Sequence, residues 1–246
     1  MKTLAKQLLA RTGIRAVAAE NIAARYLDHP PRSMFDVILL RCFADLQGLR
    51  FIQIGANDGQ RYDPLAAFIA RHGWQGVMLE PMPAYFAALQ NRYGAQPGLT
   101  LLPAALDATQ GTRAIYHLAD CTGLPDWTHG LASLDRGRLE AAARELGLPD
   151  SAIASRQIAT VTWDEVRLRL GPGGCDLLVL DTEGFDLPLL RSAGLGDFSP
   201  RVVHFEHACA PESEQAAMHR ELRRLGYEIA TEGPDTTAWR PDPAAT

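Results

Sequence analysis

The chain has 246 residues, of which 47% are hydrophobic and 22% charged, and its formal net charge is -5. That length and balance fit one large α/β domain with a substantial core and exclude an intrinsically disordered chain. A mildly acidic chain lacks the clustered Lys and Arg that displace counterions from nucleic acid, so no nucleic-acid partner is expected.

Residues 1 to about 27 read as a helix, with Leu4, Leu8, Leu9, Val17 and Ile22 among Ala, Lys and Arg. The plainer reading is an amphipathic helix packed on the domain's own flank. A homodimer contact or a membrane-surface helix is the alternative. Lys6, Arg11 and Arg15 interrupt its apolar stretches before a signal-peptide core can form, and no segment is apolar for long enough to span a bilayer. His29-Pro30-Pro31-Arg32 breaks this helix, because proline lacks the N–H and clashes inside one. A second helix is predicted from the N-cap Ser33 to about Leu46. Residues 1–48 are therefore a helical extension, and residues 49–246 form the main domain.

From there strand and helix alternate. Phe51 to Ile54, Gly76 to Leu79, Thr100 to Ala105, Asp176 to Leu180 and Arg201 to Glu206 read as buried strands. Pro64 to His72, Pro83 to Tyr93, Leu187 to Ser192 and a stretch ending near Leu225 read as helices, and Tyr227 to Ala230 with Thr237 to Arg240 as a closing hairpin. Such alternation predicts a mostly parallel sheet with helices on both faces. The segment from about Ala119 to Ala159 departs from this rhythm. It carries Cys121 to Gly130 and a helix from Arg136 to Leu146 capped by Asp135. Placed between core strands, it reads as an insertion that builds a lid or acceptor wall, with Trp127, His129 and Ser133 as candidate substrate contacts. Arg220, Arg223 and Arg224 surround Glu221 and read as a solvated helix face. Cys42, Cys121, Cys175 and Cys209 are far apart and form no CxxC pair, which predicts reduced thiols in a cytoplasmic protein rather than a zinc site.

Three elements carry chemistry. Gly55-Ala56-Asn57-Asp58-Gly59 follows the first strand, where a glycine turn lets backbone approach a ligand. Its spacing differs from the Gly-x-Gly-x-x-Gly turn that cradles a dinucleotide pyrophosphate, which suits a ligand without one. Glu80, before Pro81 at the end of the second strand, can accept hydrogen bonds from both hydroxyls of an adenosine ribose. Asp181-Thr182-Glu183-Gly184 follows the Asp176 to Leu180 strand, beside the first turn. Asp181 and Glu183 are candidates for a base and its orienting carboxylate. His207, just beyond the carboxyl end of its strand, is the candidate base, and His204, inside the strand, reads as a core histidine. Asp181, Glu183 and Glu206 could supply oxygen ligands to magnesium. Carboxylates at strand ends are common without a metal, and no metal is expected.

In this order the elements resemble the FkbM family of S-adenosylmethionine-dependent methyltransferases. The similarity runs through Phe51 to Gly59, Gly76 to Pro81, Ala105-Leu106-Asp107 with Gly111, Gly130 to Leu134, and Leu178 to Gly184, and covers roughly residues 50 to 230. The resemblance implies a Rossmann-like seven-stranded sheet with its last strand antiparallel. It implies S-adenosylmethionine as cofactor and methylation of a hydroxyl oxygen on a sugar, glycan or natural-product acceptor. It also implies cofactor contacts from Gln53, Gly55, Ala56, Asn57, Asp58, Gly59, Glu80, Pro81, Ala105, Leu106 and Asp181. One residue departs from the pattern. Gln53 stands where many relatives carry an acid, so a direct salt bridge to the cofactor's amino group is lost at that position. An NAD-dependent oxidoreductase and a non-catalytic S-adenosylmethionine-binding module are the alternatives.

Overall fold

The computed structural model describes residues 31–241. The helix expected over residues 1–27 lies outside them. Among the described residues, eleven strands and seven α-helices follow one another. They are α1 (Met34–Cys42), β1 (Arg50–Ile54), α2 (Ala66–His72), β2 (Gln75–Leu79), α3 (Pro83–Tyr93), β3 (Leu99–Leu102), β4 (Ala104–Leu106), β5 (Gly111–Leu118) and β6 (Ala132–Ser133). Then come α4 (Arg136–Glu145), β7 (Ile153–Val161), α5 (Trp163–Leu170), β8 (Leu177–Leu180), α6 (Asp186–Ser192), β9 (Val202–Glu206), α7 (Glu212–Arg224), β10 (Glu228–Glu232) and β11 (Asp235–Trp239).

Seven strands form the main sheet in the order β10-β11-β9-β8-β1-β2-β3. β1 pairs in parallel with β2 on one side and β8 on the other. β11, the last strand in the chain, runs antiparallel between β9 and β10. This is the Rossmann-like methyltransferase sheet. The chain leaves β1 toward β2 and β3, then returns to lay β8 and β9 on β1's other side, so the topological switch point lies at the carboxyl ends of β1 and β8.

The strands are apolar because both faces are covered, and their alternation divides the core. Phe51, Met78, Val179 and Val202 pack with Phe35, Leu39, Phe68 and Trp74 beneath α1 and α2. Ile52, Ile54, Val77, Leu79, Leu178, Leu180 and Phe205 pack on the other face with Trp163, Leu190, Met218 and Leu222 of α5, α6 and α7. Each fully buried side chain of this size contributes about 1.5–3 kcal/mol.

Local chemistry sets most boundaries. Ser33 caps α1 by accepting from Asp36 N at 3.2 Å, as its sequence predicts. The helix stops at Cys42 instead of reaching Leu46, where Asp45 folds back to accept from Gln47 N at 3.0 Å and offers the backbone a turn in place of the helix. α2 starts later than expected because Asp63 accepts from Leu65 N at 2.8 Å and holds Pro64 in the preceding turn. The strand expected from Thr100 to Ala105 is two strands. Pro103 has no N–H to give, and the chain changes sheets there, β3 pairing with β2 and β4 with β7.

The segment read as an insertion is larger and more regular than expected. β4, β7, β5 and β6 form a second sheet of four strands, with β5 paired to β7 over the whole length of β5. α4 packs on it through Leu139, Ala142 and Ala143, and Asp135 caps that helix as predicted. α5, absent from the sequence reading, begins at Thr162, which accepts from Glu165 N.

Candidate functional site

At the carboxyl ends of β1 and β8 the chain is folded against itself. Gly55 has φ 81° and Asn57 φ 50°. A Cβ on Gly55 would stand 1.8 Å from the carbonyl oxygen of Asp181, so glycine is required there by the chain's own packing. Two cavities open beside this contact and share Gly55, Asn57, Gly130, Asp181 and Glu183.

The first cavity, about 630 Å³ with its mouth, lies on the face of Ile54, Leu106 and Leu189. Ala104, Ala105, Ile115, Leu134 and Phe185 give it apolar walls. Glu80 is its buried acid. One carboxylate oxygen accepts from Asn57 N at 2.9 Å and the other from Met82 N at 2.8 Å. Burial pushes Glu80 up to about 7 against the pull of these two N–H groups. Each oxygen keeps a further lone pair for a hydroxyl donor. Pro81, Ala105, Leu106 and Asp181 line the same space.

The second cavity, about 1080 Å³, lies on the opposite face, with Gln53, Val179 and His204. Its walls bring together Asp63, Asp181, Glu183, Glu206 and Asp235 against one cation, Arg61. Asp181 is accessible from the cavity yet surrounded by the chain, and that partial desolvation, then Asp186, Glu183, Glu206 and Asp235, raises it above the ordinary carboxylate range. Its side chain accepts no hydrogen bond among the described residues. Asp186 does the local structural work, accepting from the Thr182 hydroxyl at 2.8 Å and from Thr182 N. Glu183, at φ 55°, pairs with Arg138 at 2.8 Å and is raised by burial and Glu206. One oxygen of Glu183, one of Glu206 and Cys209 Sγ lie within 4.8 Å of one another, a spacing that could hold a metal ion.

The second sheet and its flanks close this region. Trp127, His129 and Gly130 line the second cavity, and Gly130, Ala132 and Leu134 the first. Tyr62 donates to Asp126 at 2.8 Å, and a Cβ on Gly130 would meet the Asn57 side chain at 2.2 Å. The loop after β1 and the added segment are thus fitted to each other.

The other predicted residues sit elsewhere. Asp58 turns back to accept from Gln60 N and Arg61 N and lines neither cavity. Gly59 packs on Tyr93, and Ala56 lines the second cavity rather than the first. Ser133 is 1% exposed and accepts from Asp135 N at 3.1 Å in the turn before α4, away from both cavities. His207 also lines neither cavity. Its Nδ1 meets the Thr236 hydroxyl at 3.0 Å and its ring faces His219 of α7. The reason is strand parity. His207 stands three positions after His204, which lies on the α1 face against Phe35 and reaches the second cavity. Burial lowers His204 to about 4, so its imidazole is neutral near pH 7.

Asp63 and Asp235 are cavity acids that sequence reasoning left out of the site, and Glu206 entered it only as a possible magnesium ligand. Asp63 has a weak signal, an acid before Pro64 shortly after the glycine turn. Asp235 reaches the cavity through the tight Gly233-Pro234 hairpin, which nothing local reveals.

No protein of curated function matches the chain. Among solved structures, a methyltransferase FkbM from Methylobacillus flagellatus KT is 13% identical with a TM-score of 0.48, covering 78% of this chain and 43% of that one. The chain thus spans less than half the length of that protein. A precorrin-6y C5,15-methyltransferase from Geobacter metallireducens GS-15 is 14% identical with a TM-score of 0.40, covering 83% of this chain and 87% of that one. Aeropyrum pernix fibrillarin, solved with natively bound S-adenosyl-L-methionine, is 13% identical with a TM-score of 0.39, covering 85% of this chain and 74% of that one. The model of the methyltransferase FkbM domain matches residues 53–229. The chain belongs to the FkbM methyltransferase family.

Proposed function

We propose that this protein uses S-adenosylmethionine to methylate a hydroxyl oxygen on a sugar, glycan or natural-product acceptor. The observation that carries the reading is the meeting of two unlike cavities at Gly55 and Asp181. The first suits a nucleoside, with apolar walls for the base and Glu80 for the ribose hydroxyls. The second suits the cationic end of the donor and an incoming hydroxyl.

When bound, the cofactor supplies an electrophilic methyl carbon on a sulfonium that leaves as a neutral thioether. Transfer to the acceptor would form a carbon–oxygen bond as the carbon–sulfur bond broke, and a residue of this chain would take the hydroxyl proton. Asp181 is that base in this reading. Its raised pKa and unbonded carboxylate favour proton uptake. Glu183, held by Arg138, orients the acceptor. Trp127 and His129 offer an aromatic wall for a sugar face.

The test is turnover with methyl-labelled S-adenosylmethionine across glycan, lipid-linked and small hydroxylated acceptors. Acceptor-dependent formation of S-adenosylhomocysteine and label on oxygen are the expected results. Cofactor binding with no turnover on any acceptor would favour a binding module. Retained NAD with no S-adenosylmethionine binding would overturn the reading.

A further inference from the structure

Gln53 stands in β1 where a carboxylate would place a charge beside the cofactor, yet the surroundings are built as if a charge were needed. Gln53 is 3% exposed, and its Nε2 donates to Asp63 Oδ1 at 3.0 Å. The amide orientation follows from that contact, since only its N–H end can face a carboxylate. Gln53 Oε1 and Asp63 Oδ2 are then left buried with no hydrogen-bond partner. Both residues line the second cavity. Buried acceptors without a donor are rare in native proteins and call for a partner.

Neighbouring cations do not supply it. Arg92 donates to Gln60 and lies over Tyr93, and Arg61 faces Asp58 and Asp126. The missing partner must bring N–H or O–H donors and, opposite a carboxylate, a positive charge. A primary ammonium has three donors and one charge, which answers both acceptors at once.

We propose that Gln53 and Asp63 together form the receptor for the α-ammonium of the methyl donor's amino-acid tail, with Asp63 supplying the charge that Gln53 lacks. The inference rests on the proposed use of S-adenosylmethionine and adds which residues hold that end of it. The charge has moved from β1 to the turn before α2, and Gln53 links it to the strand. Burial, with Asp58 adding to it, raises Asp63 to about 6, while Leu65 N, Gln53 and Arg92 pull it down. An ammonium bound there would draw Asp63 further down and keep it ionised.

The experiment is equilibrium binding of two ligands to the full chain and to Asp63→Asn. S-adenosylhomocysteine carries the amino-acid tail. 5′-Methylthioadenosine keeps the nucleoside and thioether and lacks that tail. Asparagine keeps an oxygen for Leu65 N, so the turn is preserved. At pH 7.5, Asp63→Asn is expected to weaken S-adenosylhomocysteine about 10- to 100-fold, in the range of a charge-assisted hydrogen bond. Methylthioadenosine should change less than about threefold. Equal losses for both ligands, or no loss for either, overturn the assignment while leaving the donor reading in place. Wild-type protein that binds neither ligand overturns both.

A second measurement needs no variant. The ratio of the two affinities in wild type should fall as pH drops from 7.5 to 5 and Asp63 is neutralised. Glu80 faces the nucleoside common to both ligands and cancels. Around Asp63 the other ionisable groups are Asp58, Arg92 and Tyr93, with Arg61, Tyr62, His129, Asp181, Glu183, His204, Glu206 and Asp235 in the walls of the same cavity. A ratio that stays constant over this range overturns the proposal.

Discussion

The two cavities beside Gly55 are built from the same strands and differ in almost everything else. The first draws on the face of Ile54 and Leu106 and holds Glu80 as its one deeply buried acid. The second draws on the face of Gln53, Val179 and His204 and collects five carboxylates against Arg61. A pleated strand sends successive side chains to opposite faces, so one residue step along β1 separates a cavity with apolar walls and one buried acid from a cavity lined by acids. Strand order places the site, and side-chain parity then gives each half its chemistry.

The joint between the halves carries the largest expected effect. Gly55→Ala would force a side chain into the Asp181 carbonyl and leave a non-glycine residue at φ 81°. Strain and overpacking together should cost roughly 3 kcal/mol or more of stability. The measurement is the urea midpoint of the variant. A midpoint close to wild type, with ligand binding lost, would show instead that the glycine serves only the ligand.

The next effect belongs to the acidic half alone. Asp181→Asn removes the proposed base with little change of volume. Single-turnover methyl transfer should slow by about 10²- to 10⁴-fold. Binding of S-adenosylhomocysteine should hold within roughly threefold of wild type. A comparable slowing in Glu183→Gln with an unaffected Asp181→Asn would pass the proton to Glu183 and make Asp181 structural.

The neutral half responds to pH through Glu80. Its pKa in the free protein is about 7, above its ordinary 4.5. The sign follows from proton linkage. The folded state holds this proton more tightly than the unfolded chain, so its stabilising effect is complete below pH 4.5 and is lost as pH rises through 7. Ribose hydroxyls that donate to the carboxylate would favour its ionised form. Binding of S-adenosylhomocysteine at pH 6.5 should therefore release protons, seen as a buffer-dependent enthalpy in calorimetry. Glu80→Gln should abolish most of that release and weaken binding roughly 10- to 100-fold. Proton uptake on binding would contradict the placement of the ribose at Glu80.

The main sheet was legible in the sequence because its inner strands are buried on both faces and read as short apolar runs bounded by glycine and acid. Phe51 to Ile54 and Leu177 to Leu180 are of this kind. The second sheet was not. β5 and β7 break up their apolar residues with Arg, Gln, Ser and Thr because most of their side chains remain partly or fully exposed. α5 had a usable signal in Thr162 and Glu165, the spacing of a helix-capping pair. The elements of the site were legible from strand ends. The face on which each residue projects was not, because parity beyond a strand's last ladder bond depends on how the chain leaves it.

His204 of β9 and His207 just beyond it give the smallest expected effect and the sharpest check on that parity. Sequence position favours His207, which stands at the rim where ligands bind in open α/β sheets. Its backbone N–H, however, bonds to Pro234 O, and its ring is directed to Thr236 and His219 beneath α7. The cavity with the acids opens on the other face, where His204 lies. A general base must come within hydrogen-bond reach of the proton it removes, directly or through one water. His207→Ala should therefore change the single-turnover rate less than about threefold, with a modest loss of stability from its broken contact to Thr236. His204→Phe keeps a ring against Phe35 and removes the nitrogen that meets Thr237. Burial holds the His204 imidazole neutral down to about pH 4. Any catalytic effect it has should then be flat between pH 6 and 8, unlike that of a histidine near its ordinary 6.5. A slowing of about 10²-fold or more in His207→Ala would place the reacting hydroxyl on the α7 face. The acidic cavity would then lose its claim to the acceptor.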